Sequence, residues 1–163
     1  NEVAEDLAAR SACSEENSEC DLAFAELITT KFTNLADYSV DYTYDAETNT
    51  YHRSYQNGEE HQSYYCTSEE ISSCTLQSVA PSAVAVMRVE EHTMSDNYHE
   101  SIETVGRGNA YVFQNGTVIE GSWEKSSIDS QIIFRDADGA EVKFTHGQLW
   151  IAAVPQFGSV SWE

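Results

Sequence analysis

The chain has 163 residues, with 8 Lys+Arg against 28 Asp+Glu and a formal charge of −20. That balance sets it against nucleic acid and anionic membrane surfaces by repulsion, and favours cationic partners, divalent ions or a salty milieu. The length suits one domain with a sizeable core, no apolar run is long enough to cross a membrane as a helix, and the start at Asn1 without a signal peptide reads as a processed or trimmed product.

From Asn1 to Arg10 the chain is acidic, with Val3, Leu7 and Ala8 at helical spacing, and from Asp21 to Lys31 the pattern recurs with Leu22, Ala25, Ile28 and Phe32. One or two short helices are expected here, the second capped by Asp21 with Asn34 near its end. Residues 1–36 would then be a helical segment packed on a β domain spanning 37–163. The four cysteines fall in two close pairs, Cys13 with Cys20 and Cys66 with Cys74. An even count at that spacing suits two local disulfides in an oxidising compartment. Zinc is the alternative, but neither pair has the spacing of a zinc knuckle.

At Tyr38 the period switches to two. Tyr38, Val40, Tyr42 and Tyr44 face one way, Ser39, Asp41, Thr43 and Asp45 the other, and a polar loop returns the chain. Setting Asp45 opposite Thr50 brings Tyr44 to Tyr51, Tyr42 to Arg53 and Val40 to Tyr55. The aromatic face so formed carries one guanidinium. It serves either as sheet core braced by a cation–π contact or as a platform for an extended or planar ligand. Asn57-Gly58 marks the next turn. A two-residue turn would pair Ser54 with His61 and aim that imidazole away from Arg53, whereas a three-residue loop would set His61 opposite Tyr55; both stay open. Ala83 to Val89, entered from Pro81, is a β-branched apolar run suited to a central strand. The stretch from Glu90 to Glu103, with His92 and His99, is dense in His and carboxylate, yet it lacks ligand spacing and reads as a solvated loop.

Asn115-Gly116 is a strong hairpin signal, because a type I′ turn needs φ > 0 at both positions. Gln114 then faces Thr117, so Val112, Ile119, Ala110, Gly121, Gly108 and Trp123 share one face and Phe113, Val118, Tyr111 and Glu120 the other. The first set is expected to be the core face, with Trp123 lying over Gly108. Asp136-Ala137-Asp138-Gly139 reads as a three-residue loop with Gly139 in the left-handed region, which pairs Arg135 with Glu141, Phe134 with Val142 and Ile132 with Phe144. Its likeness to the start of a calcium loop ends there, since the downstream ligands are missing. After Gly147, Leu149 to Val154 is apolar on both faces and is expected in a strand covered on both sides, stopped by Pro155. Asn115-Gly116-Thr117 is a formal glycosylation sequon whose Asn is committed to a tight turn. No GxSxG, no phosphate-binding glycine loop and no free Cys nucleophile is present.

Taken together, Tyr44-Asp45, Tyr51-His52-Arg53, Gly58 with His61, Ala83 to Val86, Gly106-Arg107-Gly108, Phe113, Gly116, Gly121-Ser122-Trp123, Gly139 and Gly147 through Trp150-Ile151 to Pro155 resemble the C-terminal domain of unknown function of the YerB-like bacterial envelope lipoproteins. The resemblance runs from about Tyr42 to Pro155. It implies a mainly β domain outside the cytoplasmic membrane, and it names no catalytic residue. The chain departs from that family in lacking its larger upstream domain, in the cysteine-closed excursion at Cys66 to Cys74, and in Gln62-Ser63 where an acidic residue is expected.

The reading is a mainly antiparallel β domain, a sandwich or partly open barrel with one or two short N-terminal helices. Its expected role is that of an extracytoplasmic cell-envelope binding or assembly module, without catalytic activity, cofactor or metal. The partner is a protein or cell-wall component, met on Tyr42, Tyr44, Tyr51, Arg53 and His61. A cell-wall or peptide hydrolase with a site near Arg53 and His61 is one alternative, and a structural subunit that self-associates through strand edges is another.

Overall fold

The computed structural model describes residues 24–163, which form thirteen short strands. In chain order they are β1 (Leu27–Lys31), β2 (Ser39–Asp45), β3 (Thr50–Tyr55), β4 (Gln62–Cys66), β5 (Cys74–Ser78), β6 (Ala83–Val89), β7 (Glu91–Thr93), β8 (Glu100–Ile102), β9 (Gly106–Gln114), β10 (Thr117–Lys125), β11 (Ile133–Asp136), β12 (Leu149–Pro155) and β13 (Ser159–Trp162). Four of them form an antiparallel sheet in the order β13-β1-β2-β3, and five form a second sheet in the order β11-β10-β9-β6-β12. The pairs β4-β5 and β7-β8 stand as separate hairpins, and none of these sheets closes on itself. The helical elements among the described residues are two single 3₁₀ turns, Ala36–Tyr38 and Ile71–Ser73.

The domain is thus mainly β, but the second expected helix is a strand. Leu27–Lys31 pairs with β2 on one side and β13 on the other, burying Ile28 and Thr30. The helical spacing of Ala25 and Ile28 coincides with a run, Ile28-Thr29-Thr30, whose β-branched side chains fit a pleated surface better than a helix. Thr29 Oγ1 also donates to Asp41 Oδ1 at 2.7 Å, which fixes β1 to its neighbour. The first expected helix and the Cys13–Cys20 pair lie outside the described residues. The Cys66–Cys74 disulfide is present and joins the far ends of β4 and β5.

At Asn115-Gly116, at Asp136 to Gly139 and in the tyrosine hairpin, the registers expected from sequence hold. Asn115 (φ 55°) and Gly116 (φ 69°) make the two-residue turn, with Gln114 opposite Thr117 and Gly108 opposite Trp123. Gly139 (φ 82°) closes the three-residue loop, with Arg135 bridged to Glu141 and Val142 N donating to Phe134 O at 2.9 Å. The Asp136 carboxylate accepts from the backbone N–H groups of Asp138 and Ala140, so it belongs to the turn. The tyrosine hairpin pairs Val40 with Tyr55, Tyr42 with Arg53, Tyr44 with Tyr51 and Asp45 with Thr50.

Two expectations about burial are corrected. The β9–β10 hairpin has no single core face: Phe113 and Val118 pack with Ile28, Val40, Tyr42 and Tyr51 of the four-stranded sheet, while Ala110, Val112 and Trp123 pack with Met87, Phe134 and Val142 on the other side. Val142 and Phe144 pack on the face expected to be core, and the four-stranded sheet covers the face that alternation alone would leave to solvent. The apolar run of β12 is an edge strand parallel to β6, with Leu149 beside Ala83 and Pro155 beside Val89. Leu149 and Ile151 are exposed; Ala152 and Val154 are buried.

Trp123 is only 3% exposed and donates from Nε1 to Arg88 O at 3.0 Å across Gly108. A Cβ on Gly108 would stand 2.6 Å from that carbonyl and 2.7 Å from the indole nitrogen. Gly108→Ala is therefore expected to cost about 1–3 kcal/mol by overpacking. A urea midpoint equal to that of the unaltered protein would mean that the indole has room to withdraw.

Candidate functional site

Residues from three segments meet around Arg53. On β3, alternation puts Tyr51, Arg53 and Tyr55 on one face, and pairing with β2 sets Tyr42 beside Arg53. The turn after β3 takes neither register open in the sequence. Its three-residue loop is Gln56-Asn57-Gly58, one residue earlier than expected, so that Tyr55 N donates to Glu59 O at 2.8 Å and His61 N to Arg53 O at 2.9 Å. Gly58 (φ 83°) supplies the left-handed residue that such a loop requires. His61 thereby lies opposite Arg53. The returning chain completes the frame, since Arg53 N donates to Val79 O at 3.0 Å and Val79 N to His61 O at 2.8 Å.

The guanidinium is enclosed by rings. Arg53 Cζ lies 4.8 Å from the Trp150 centroid, 5.4 Å from Tyr55 and 5.9 Å from Tyr42. Its Nη1 contacts His61 Nδ1 at 2.5 Å. Since a guanidinium only donates, Nδ1 must accept, and the neutral ring carries its proton on Nε2. His61 stacks edge-on to Trp150 at 5.7 Å. Burial, and then the charge of Arg53, hold its pKa below the ordinary histidine value. Burial pushes the Tyr42 phenol up, with Arg53 acting the other way too weakly to reverse it.

Of the residues singled out by sequence, Tyr42 and Tyr51 are wholly buried. They belong to the core between the sheets. Tyr51 accepts the Gly116 N–H at its hydroxyl, 3.0 Å away. Tyr44 is half-buried, stacks on Tyr51 at 5.1 Å and donates to Asn49 Oδ1 at 2.8 Å. Arg53 and His61 are half-buried and adjacent, as a joint site requires. Sequence reasoning left out Tyr55 and Trp150. Period two on β3 carried the signal for Tyr55; nothing local announces Trp150, which arrives on β12 through a long-range parallel pairing.

No carboxylate pairs with Arg53 among the described residues, and its buried Nε makes no hydrogen bond to any of them. An open depression of about 380 Å³ beside the site is lined by Ala36, Tyr55, Gln56, Asn57 and Glu59. Chemically, this is a cation held over aromatic faces with donor capacity left over, and a neutral imidazole whose Nδ1 is already engaged. Elsewhere, His99 pairs with Asp96 at 2.6 Å on the exposed β7–β8 hairpin, and among the described residues no group of three or more His, Cys, Asp and Glu converges as a metal site.

This two-sheet, mainly β architecture, with a cation–aromatic cluster at one sheet edge, defines a domain class without an assigned chemistry. The chain belongs to the family described as the C-terminal domain of a protein of unknown function, DUF3048, which matches residues 28–151. A similar solved structure is the crystal structure of the YerB protein from Bacillus subtilis, at TM-score 0.63 and 22% identity, covering 87% of this chain. The chain spans 45% of that structure's length. No curated protein matches the chain at a significant level.

Proposed function

We propose that this domain is an extracytoplasmic binding module of the cell envelope, without chemistry of its own, whose ligand presents a carboxylate to Arg53. The observation that carries this is a guanidinium stacked on Trp150 and Tyr55 with no carboxylate partner among the described residues, on a chain of charge −20. An arginine against aromatic rings is the composition of binding hot spots. The Cys66–Cys74 disulfide supports an oxidising compartment, and among the described residues no helix is long and apolar enough to cross a membrane.

Calorimetry with soluble muropeptides and their amidated counterparts tests this reading. Binding of the free acids, weakened about tenfold or more by Arg53→Met without a fall in melting temperature, is the expected result. Equal affinity for the amides, or a variant that only loses stability, would show Arg53 to be core bracing. Turnover of the muropeptide that His61→Gln abolishes would favour the hydrolase reading instead.

A further inference from the structure

We infer that the β4–β5 hairpin is a docking arm for a basic protein surface. Every residue of β4 is exposed, as is every residue of β5 except Cys74, so the hairpin has no core of its own. Two strands alone are marginal in water. Here the disulfide across their far ends holds the shape, and an arm pre-ordered in this way loses less entropy when a partner lands on it. Its outer edges pair with nothing among the described residues, which leaves backbone groups free to accept another strand.

Tyr64 stands directly opposite Leu76, next to the cystine, and these two side chains are 72% and 51% exposed. Ile71, at the tip, is 90% exposed. An aromatic and two aliphatics held out in solvent form a patch that a soluble surface does not need, and they have the anchor chemistry of an interface.

Charge identifies the occupant. Between Arg53 and Arg88 the sequence has no Lys or Arg, and it has four glutamates, Glu59, Glu60, Glu69 and Glu70. The two at the tip immediately precede Ile71. A second copy of this chain would bring a charge of −20 against it, and an anionic lipid surface would be repelled as well. A surface bearing Lys or Arg around an apolar centre meets both the patch and its rim.

The test uses the full chain, disulfide intact, and a synthetic strand peptide of alternating Lys and Leu, followed by fluorescence anisotropy at low and high salt. Tyr64→Ser with Leu76→Ser is expected to weaken binding by about tenfold, and Glu69→Lys with Glu70→Lys to weaken it and flatten its salt dependence. Ile128→Ser, at an exposed isoleucine outside the arm, serves as the control and is expected to change nothing. Because the arm lies outside the core, all three keep the parent melting temperature. Equal affinity for the parent and the Tyr64/Leu76 variant would reduce the binding to net charge and overturn the inference. So would sedimentation showing that the parent dimerises through Tyr64 and Leu76, or binding through them to phosphatidylglycerol vesicles.

Discussion

Phe113→Ala is expected to destabilise the protein by about 3–5 kcal/mol, the range for truncating a fully buried aromatic. Phe113 is 0% exposed and sits where the two sheets meet, packed with the Ile28, Val40 and Tyr42 cluster and edge-on to Trp162 at 5.6 Å. The β9–β10 hairpin and the four-stranded sheet, whose β13 carries Trp162, close on this ring, so the surroundings cannot collapse into the cavity without moving both. Urea unfolding measures it. A loss below about 1 kcal/mol would mean that the sheets slide together and that the core between them is plastic.

Acidification is expected to weaken the fold through His61. Its folded pKa lies below the ordinary histidine value, chiefly through burial and then through Arg53. Between the two values the unfolded chain binds a proton that the folded one refuses, so stability falls as pH drops through that window and is flat above it. Arg53→Met is expected to bring the His61 pKa part of the way back, because the larger cause, burial, persists. Titration of the imidazole by proton NMR reads both values. A His61 that titrates at or above the ordinary histidine value in the parent protein would show that the Arg53 contact is not kept in solution, and would remove the geometry on which the carboxylate site rests.

What the sequence made legible was local. Asn115-Gly116 and Asp136 to Gly139 set their registers because few residues tolerate positive φ, and one fixed pair determines every pair after it. The tyrosine hairpin followed from period two and the polar loop that sets Asp45 opposite Thr50. The unreadable parts are those that partners decide. Ile28 satisfies helical and strand spacing equally, and its place between β2 and β13 settles the matter. Leu149 to Val154 looks doubly buried, yet nothing in its own residues shows that β6 would take it as a parallel edge. The candidate site suffers from the same limit. Arg53 and His61 were legible as neighbours in sequence, but a one-residue choice in the Gln56 to Gly58 loop decided whether they touch, and Trp150 comes from almost a hundred residues away.

The position of β1 between β2 and β13 also governs the order in which this protein can fold. The β2–β3 and β9–β10 hairpins close short loops and form on the microsecond scale. Ile28 must instead meet Trp162 across nearly the whole described chain, a contact whose loop-closure entropy makes it late and slow. Until Ser159–Trp162 arrives, β1 has one side unpaired, with Ile28 and Thr30 still short of their final enclosure. Nascent chains therefore pass through a stage in which a bare strand edge is open to mispairing, and its lifetime is set by how quickly the C-terminal strand is delivered.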